Sequence, residues 1–197
     1  MKQALNYDFI PFEEYLAGER EAKIRSEYVD GRIYAMTGAS ETHNTIAGSF
    51  YAFIESRLKE DCRVWQSDMK LAVRKQGQNF GYYPDIMAAC GENSGDPYTR
   101  TDPILIVEVL SDSTERVDLK EKFDNYTSIP TLLEYVVVAQ DLPLIRLFRR
   151  RTSWERETYR AEDVFRLESV ALDVPVRHIY RRVRKEVGLD IGGGASL

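Results

Sequence analysis

Glu108 stands in the stretch Ile104-Leu105-Ile106-Val107-Glu108-Val109-Leu110, which is otherwise entirely apolar. Such a run reads as a central strand covered on both faces. A carboxylate buried there without a partner would cost several kcal/mol even after relaxation, on the order of the penalty for any buried ion. A cation, a metal ion or a raised pKa must compensate it, unless the side chain reaches solvent or an arginine at the strand end. Asp85 follows Pro84 in Tyr82-Tyr83-Pro84-Asp85-Ile86-Met87-Ala88-Ala89. The proline marks an edge, a bulge or a strand entry. If the two strands pair in register, Asp85 and Glu108 meet, and two adjacent carboxylates are best reconciled by a divalent cation. Oxygen ligands alone select Mg, Mn or Ca over zinc, and the Val109 carbonyl is a further candidate ligand. Taken singly, Asp85 also fits a turn or cap residue.

Hydrolysis of a phosphodiester needs, besides the metal, a positive group near the attacking water. Asp118-Leu119-Lys120-Glu121-Lys122-Phe123-Asp124-Asn125-Tyr126 supplies two lysines on a predicted helix. Leu119, Phe123 and Tyr126 define its buried stripe. At α-helical winding, Lys122 lies about 70° from the centre of that stripe and Lys120 about 90° away on the other side. This spacing favours Lys122 only slightly, against a solvated lysine paired with Asp118 or Asp124. His43, in the first turn of another predicted helix, could contact phosphate, donate to a site residue or act as a structural hydrogen bonder.

The elements that must position these groups can be read along the chain. Pro11 opens a short helix. Asp30-Gly31 between two alternating apolar runs is the strongest short-range hairpin signal. Ser40 caps a helix reaching about residue 60, with Ile46, Phe50, Phe53, Ile54 and Leu58 at helical spacing. Strands are predicted over 64–73, 82–89 and 104–110, then a helix capped by 112–114 and ending near 127. Further strands are predicted over 133–139, 144–149 and 154–159, with a closing helix over 176–183. This order gives a mixed α/β fold around a central sheet.

Glu27-Tyr28-Val29-Asp30-Gly31-Arg32-Ile33-Tyr34-Ala35-Met36 comes first, then Pro84-Asp85, then Val107-Glu108-Val109-Leu110-Ser111-Asp112-Ser113-Thr114. With Asp118, Lys122, Tyr126 and Glu134-Tyr135-Val136-Val137-Val138, this ordered set resembles the Uma family of restriction endonucleases, over roughly residues 8 to 183. That family is similar to the PD-(D/E)xK nuclease superfamily. The resemblance implies a restriction-endonuclease-like α/β fold: a mixed central sheet flanked by helices, with an N-terminal β-hairpin and extra C-terminal strands. It implies Mg-dependent (or Mn-dependent) endonucleolytic cleavage of DNA, leaving a 5′-phosphate and a 3′-hydroxyl. Asp85 and Glu108 then correspond to the metal carboxylates, Lys122 to the lysine supplied by a neighbouring helix, and Glu27 to an additional acidic residue ahead of the core. The lysine expected two residues after Glu108 in the wider superfamily is Leu110 here. Residues i and i+2 share a strand face, so Lys122 must reach that place from the helix. Cutting both strands of a duplex would call for a homodimer with two-fold symmetry. A nuclease-fold module without catalysis, binding nucleic acid or protein, is the alternative.

Composition bounds these expectations. The 197 residues suit one domain, predicted over 1–185, with a Gly-rich tail over 186–197 expected to be flexible. The formal net charge of −5 argues against a protein that wraps nucleic acid by overall positive charge. Local basic clusters at Arg149-Arg150-Arg151 and Arg181-Arg182-Val183-Arg184-Lys185 could contact phosphate or simply be solvated. No apolar run is long enough for a membrane span, and no signal-peptide pattern opens the chain. Cys62 and Cys90 are too far apart for a zinc knuckle and suit a reducing cytoplasm.

Overall fold

The computed structural model describes residues 8–93, 95–111 and 117–189. The first helix, α1 (Phe12–Glu21), leads into the hairpin β1 (Ser26–Val29) and β2 (Arg32–Ala35). Its turn is the predicted one: Asp30 has φ 41° and Gly31 has φ 93°. Glycine is required there twice over, because a Cβ at Gly31 would lie 2.2 Å from a ring carbon of Phe9. Next comes α2 (Glu41–Glu55), whose Ser40 Oγ accepts the His43 N–H.

The following strands depart from the sequence reading. The run predicted as one strand over 64–73 is two, β3 (Cys62–Gln66) and β4 (Lys70–Lys75), and they belong to different sheets. The run over 82–89 is likewise divided between β5 (Gln78–Tyr82) and β6 (Ile86–Cys90). The breaks fall at Ser67, which takes φ 49°, and at Pro84-Asp85. The first break carries its own polar mark, Gln66-Ser67-Asp68 with Asp68 exposed, whereas at the second Tyr83 and Pro84 stay buried and the proline with Asp85 is the mark of the change of sheet. A short β7 (Thr99–Arg100) precedes β8 (Leu105–Val109).

The chain then carries a π-helical segment (Val117–Lys122) running into α3 (Phe123–Tyr126). The predicted cap at 112–114 lies outside the described residues. Strands β9 (Glu134–Val138), β10 (Leu144–Arg149) and β11 (Arg156–Arg160) follow as expected. A second hairpin, β12 (Val164–Leu167) and β13 (Leu172–Pro175), was not anticipated, although its burial alternates strictly in β12. The closing helix α4 is shorter than predicted (Val176–Ile179).

Two larger sheets result. One has the order β2-β1-β5-β4-β7, the other β11-β10-β9-β8-β6-β3, and β12-β13 pair separately. The six-stranded sheet is mixed: β8 and β9 are parallel, whereas β6 and β8 are antiparallel. Along β8, Leu105, Val107 and Val109 face the core formed with α2, α4 and the second hairpin. Ile106 and Leu110 face the opposite core, with Leu71, Val73, Phe80 and Tyr82 of the five-stranded sheet and with Tyr126. Alternation therefore sends Glu108 into the layer between the two large sheets.

Cys62 lies opposite Cys90 in the β3–β6 register and is joined to it by a disulfide. The bond corrects the reading of Cys62 and Cys90 as cysteines suited to a reducing compartment: a span of 28 residues in sequence closes to facing strand positions, which the spacing alone does not reveal. Among the described residues, no helix is long and apolar enough to cross a membrane.

Candidate active site

Glu108 is 3% exposed, Glu27 3% and Lys122 5%, and the structure brings all three together. Lys122 Nζ lies 3.0 Å from Glu108 Oε1 and 3.3 Å from Glu27 Oε1. Each comes from a separate element. Glu27 is carried by β1 and held in place by the Asp30-Gly31 turn, Glu108 by central strand β8, and Lys122 by the last residue of the π-helical segment. The lysine therefore does reach across the layer, while Leu110, on the same strand face as Glu108, is absorbed into the core. An i→i+5 turn winds more slowly than an α-helix, so the wheel at 100° per residue misplaces this segment.

Tyr126 OH donates to Glu108 Oε1 at 2.9 Å. Sequence reading assigned this tyrosine to the buried stripe, which it does join; its hydroxyl role was missed. Burial, and next the Glu108 carboxylate, hold its phenol pKa well above the ordinary value. A buried neutral phenol so placed is a fixed hydrogen-bond donor to the carboxylate. Behind it, Asn125 Nδ2 donates to Tyr82 OH at 2.8 Å, and Tyr82 OH donates to Glu121 Oε1 at 3.2 Å.

Asp85 sits at the entry to β6, as its proline suggested. The register Ile86↔Val107 sets it next to Glu108. Its backbone N–H points to Glu108 Oε2 at 3.4 Å, and its Oδ2 accepts the Val109 N–H at 2.7 Å. The Val109 amide is what meets Asp85; its carbonyl is the atom considered from sequence as a metal ligand. Its other oxygen, Oδ1, lies 3.1 Å from His43 Nε2, with side-chain exposures of 13% for His43 and 17% for Asp85. His43 is thereby placed at the site, one of the positions the sequence left open.

The basic cluster Arg149-Arg150-Arg151 behaves differently. Arg149 is buried among Glu134, Glu157 and Glu168, Arg150 donates to the Leu132 and Ile129 carbonyls, and Arg151 pairs with Glu168. These arginines serve the fold.

Among the described residues, no group of three or more His, Cys, Asp or Glu side chains is placed to hold a metal ion. The charge balance nonetheless suits a divalent cation. Ionised Glu27, Asp85 and Glu108 contribute three negative charges and Lys122 one positive charge, so with a neutral His43 these groups alone carry a residual two. Two carboxylates on adjoining segments, Asp85 and Glu108, are the hard oxygen donors that such an ion takes.

A family described as "Uma2: Putative restriction endonuclease" matches residues 12–176. The chain is 35% identical over 178 residues to "Uncharacterized protein slr1290" of Synechocystis, covering 86% of this chain and 90% of that protein. It is 33% identical over 131 residues to "Uncharacterized protein sll1609" of the same organism, covering 64% of this chain and 73% of the relative. The fold is similar to a crystal structure described as "a putative nuclease belonging to DUF820" from Anabaena variabilis. That likeness has a TM-score of 0.70 at 17% identity and covers 87% of this chain and 98% of the other. With its mixed sheet flanked by helices and a family match that spans most of its length, this chain belongs to the Uma2 family and has the restriction-endonuclease-like fold.

Proposed function

We propose that this protein is a divalent-metal-dependent nuclease that hydrolyses DNA phosphodiesters at Asp85, Glu108 and Lys122. The observation that carries the reading is the 3.0 Å contact between Lys122 Nζ and Glu108 Oε1. The ammonium neutralises two buried glutamates in any case, and the nuclease reading gives it a second task beside the Asp85–Glu108 pair. Here the lysine occupies the space that Leu110 cannot serve.

Asp85 and Glu108 would hold Mg²⁺ or Mn²⁺, which when bound lowers the pKa of water and offsets charge on the phosphoryl oxygens. The Val109 N–H and His43 fix the Asp85 carboxylate on one side of the cleft. Tyr126 holds Glu108 on the other. The Lys122 ammonium orients the attacking water, or donates to a phosphoryl oxygen as charge grows there. Glu27 shares that ammonium and would help to hold it in the cleft. A homodimer would supply a second site for the complementary strand. Sedimentation at micromolar concentration should then give a dimer, and a monomer alone would remove that part of the proposal.

The test is calorimetric titration with Mg²⁺ and Mn²⁺, paired with cleavage of supercoiled and linear DNA. Binding and cleavage should both vanish in Asp85→Ala and Glu108→Ala. Metal binding unchanged in both variants would refute the site.

A further inference from the structure

Resting on the nuclease reading, we propose that a cleft between β3 and β7 binds one unpaired nucleotide of the DNA strand, its base stacked on Trp65 and its phosphate held by Arg63. The substrate class that follows is single-stranded or gapped DNA in preference to continuous duplex. β3 and β7 are end strands of the six-stranded and the five-stranded sheet. The cleft measures about 510 Å³, and its lining includes Arg63, Trp65, Met69, Glu92, Pro97 and Arg100. That volume suits a ligand of nucleotide size.

The stacking platform is held from behind. The Arg100 guanidinium carbon lies 5.2 Å from the centroid of the Trp65 ring, and Arg100 Nε is 2.9 Å from Asp102 Oδ1. Arg100 is buried, whereas Trp65 is half-buried and Arg63 exposed. The indole is therefore backed by a fixed cation while part of its surface lines the cleft. Arg63 is two residues away on the same strand and shares its face. An aromatic surface beside a cation is the pairing that holds an unpaired base and its phosphate, and it tolerates any sequence because every base has a π-face. Glu92 adds an acceptor suited to the exocyclic amine of a base.

The cleft adjoins the proposed metal site. Trp65 pairs in register with Met87, two residues after Asp85, and the Ser67 N–H donates to the Asp85 carbonyl at 3.1 Å. From Trp65 to Ser67 the chain advances about 7 Å, on the order of two base steps. Arg25 adds a cation in that interval, donating to the Ser67 carbonyl at 2.8 Å and pairing with Asp68. The net charge of −5, with Arg149-Arg150-Arg151 spent on the fold, leaves little general attraction for a duplex. Stacking on Trp65 requires a base whose face is uncovered, which a continuous duplex does not offer.

Titration of the full chain in chelator, with single-stranded and duplex oligonucleotides of one sequence, tests this without the metal. Fluorescence anisotropy should give a Kd for the single strand at least about tenfold below that for the duplex. Trp65 and Trp154 are the two tryptophans of the chain, so in Trp154→Phe the single strand should quench Trp65 emission to saturation. Trp65→Leu should weaken single-strand binding by about 5–100-fold, and Trp65→Phe, which keeps a ring, by less than about threefold. Arg63→Gln, at an exposed position, should unfold at the wild-type temperature, bind about three- to tenfold more weakly and lower the salt slope by about 0.7. Absence of single-strand binding, binding without quenching of Trp65, or a Kd unchanged in Arg63→Gln would each overturn the cleft and leave Asp85-dependent metal binding standing. Equal Kd values for the two DNA forms would overturn the unpaired substrate. Metal binding unchanged in Asp85→Ala and Glu108→Ala, with quenching intact, would instead strike the nuclease reading.

Discussion

Two neighbouring strands each bury a glutamate, and the two are treated in opposite ways. Glu134, at the start of β9, is 1% exposed and pairs with the Arg149 guanidinium. It also accepts N–H bonds from Glu168 at 3.0 Å and Ser169 at 2.8 Å, and the Ser169 hydroxyl. Arg149 in turn donates to Glu157 and to the Arg166 carbonyl. Every one of these partners is a donor from a fixed fork, a backbone amide or a short side chain. The cluster locks the second hairpin onto the central sheet. Glu108, on β8, meets instead a flexible ammonium and a phenol, both at Oε1, and shares the ammonium with a second carboxylate. Saturation by arginine makes a buried acid structural; a lysine shared between two acids leaves negative charge for something else.

Substitution of the two glutamates should separate these roles most sharply. Glu134→Gln leaves Arg149 buried with its main partner gone and should cost about 3–5 kcal/mol in denaturant unfolding. Glu108→Gln should reduce DNA cleavage by about 10³-fold or more while stability is held or raised, because Glu27 still pairs with Lys122 and one like charge is removed. If Glu108→Gln destabilises as much as Glu134→Gln, the contrast fails. Lys122→Met comes next. It should lower cleavage by about 10²–10³-fold with metal affinity retained or improved, since the removed charge repels the ion. Stability should fall at neutral pH and recover as acid protonates one of the two carboxylates left facing each other.

Alkaline titration sharpens the comparison further, because a phenol serves Glu108 and a hydroxyl that does not titrate serves Glu134. Tyr126 has a folded pKa raised by burial. Its contribution is fully present below the unfolded value of about 10 and is lost as pH rises from there toward the folded value. Tyr82, raised for the same first cause, follows the same sign. Unfolding midpoints should therefore fall above about pH 10, and Tyr126→Phe should make that decline shallower whereas Ser169→Ala should not. At neutral pH the smallest effect is expected: Tyr126→Phe should cost about 1–2 kcal/mol and reduce cleavage by no more than about tenfold, read by urea unfolding and initial rates.

Much of this was legible in the residues. An Asp-Gly turn needs two positive φ angles, so the hairpin carrying Glu27 was readable. A serine cap and regular apolar spacing fixed α2, and an acid inside an apolar strand drew attention to Glu108. What stayed hidden is where the chain changes sheet. Gln66-Ser67-Asp68 and Pro84-Asp85 are short polar or proline marks between strands of similar apolar character, and the two strands they join lie in different sheets. Of the partners of Glu134, Arg149 lies 15 residues downstream at the end of β10, and Glu168 and Ser169, 34 and 35 residues downstream, come from the turn of a hairpin whose strands are only 4 residues long. Lys122 could be ranked only weakly against Lys120 because helical wheels presume 3.6 residues per turn.

The slower coil beneath Lys122 also bears on how kinship is detected. Fourteen positions separate this lysine from its glutamate, and a π-turn accommodates one residue more than an α-turn would. Insertion or deletion of a single codon in that connection can be absorbed by a change of pitch, with the amine still delivered to the same point. Signatures that count letters between the two will lose such cousins, whereas a through-space separation near 3 Å will retain them.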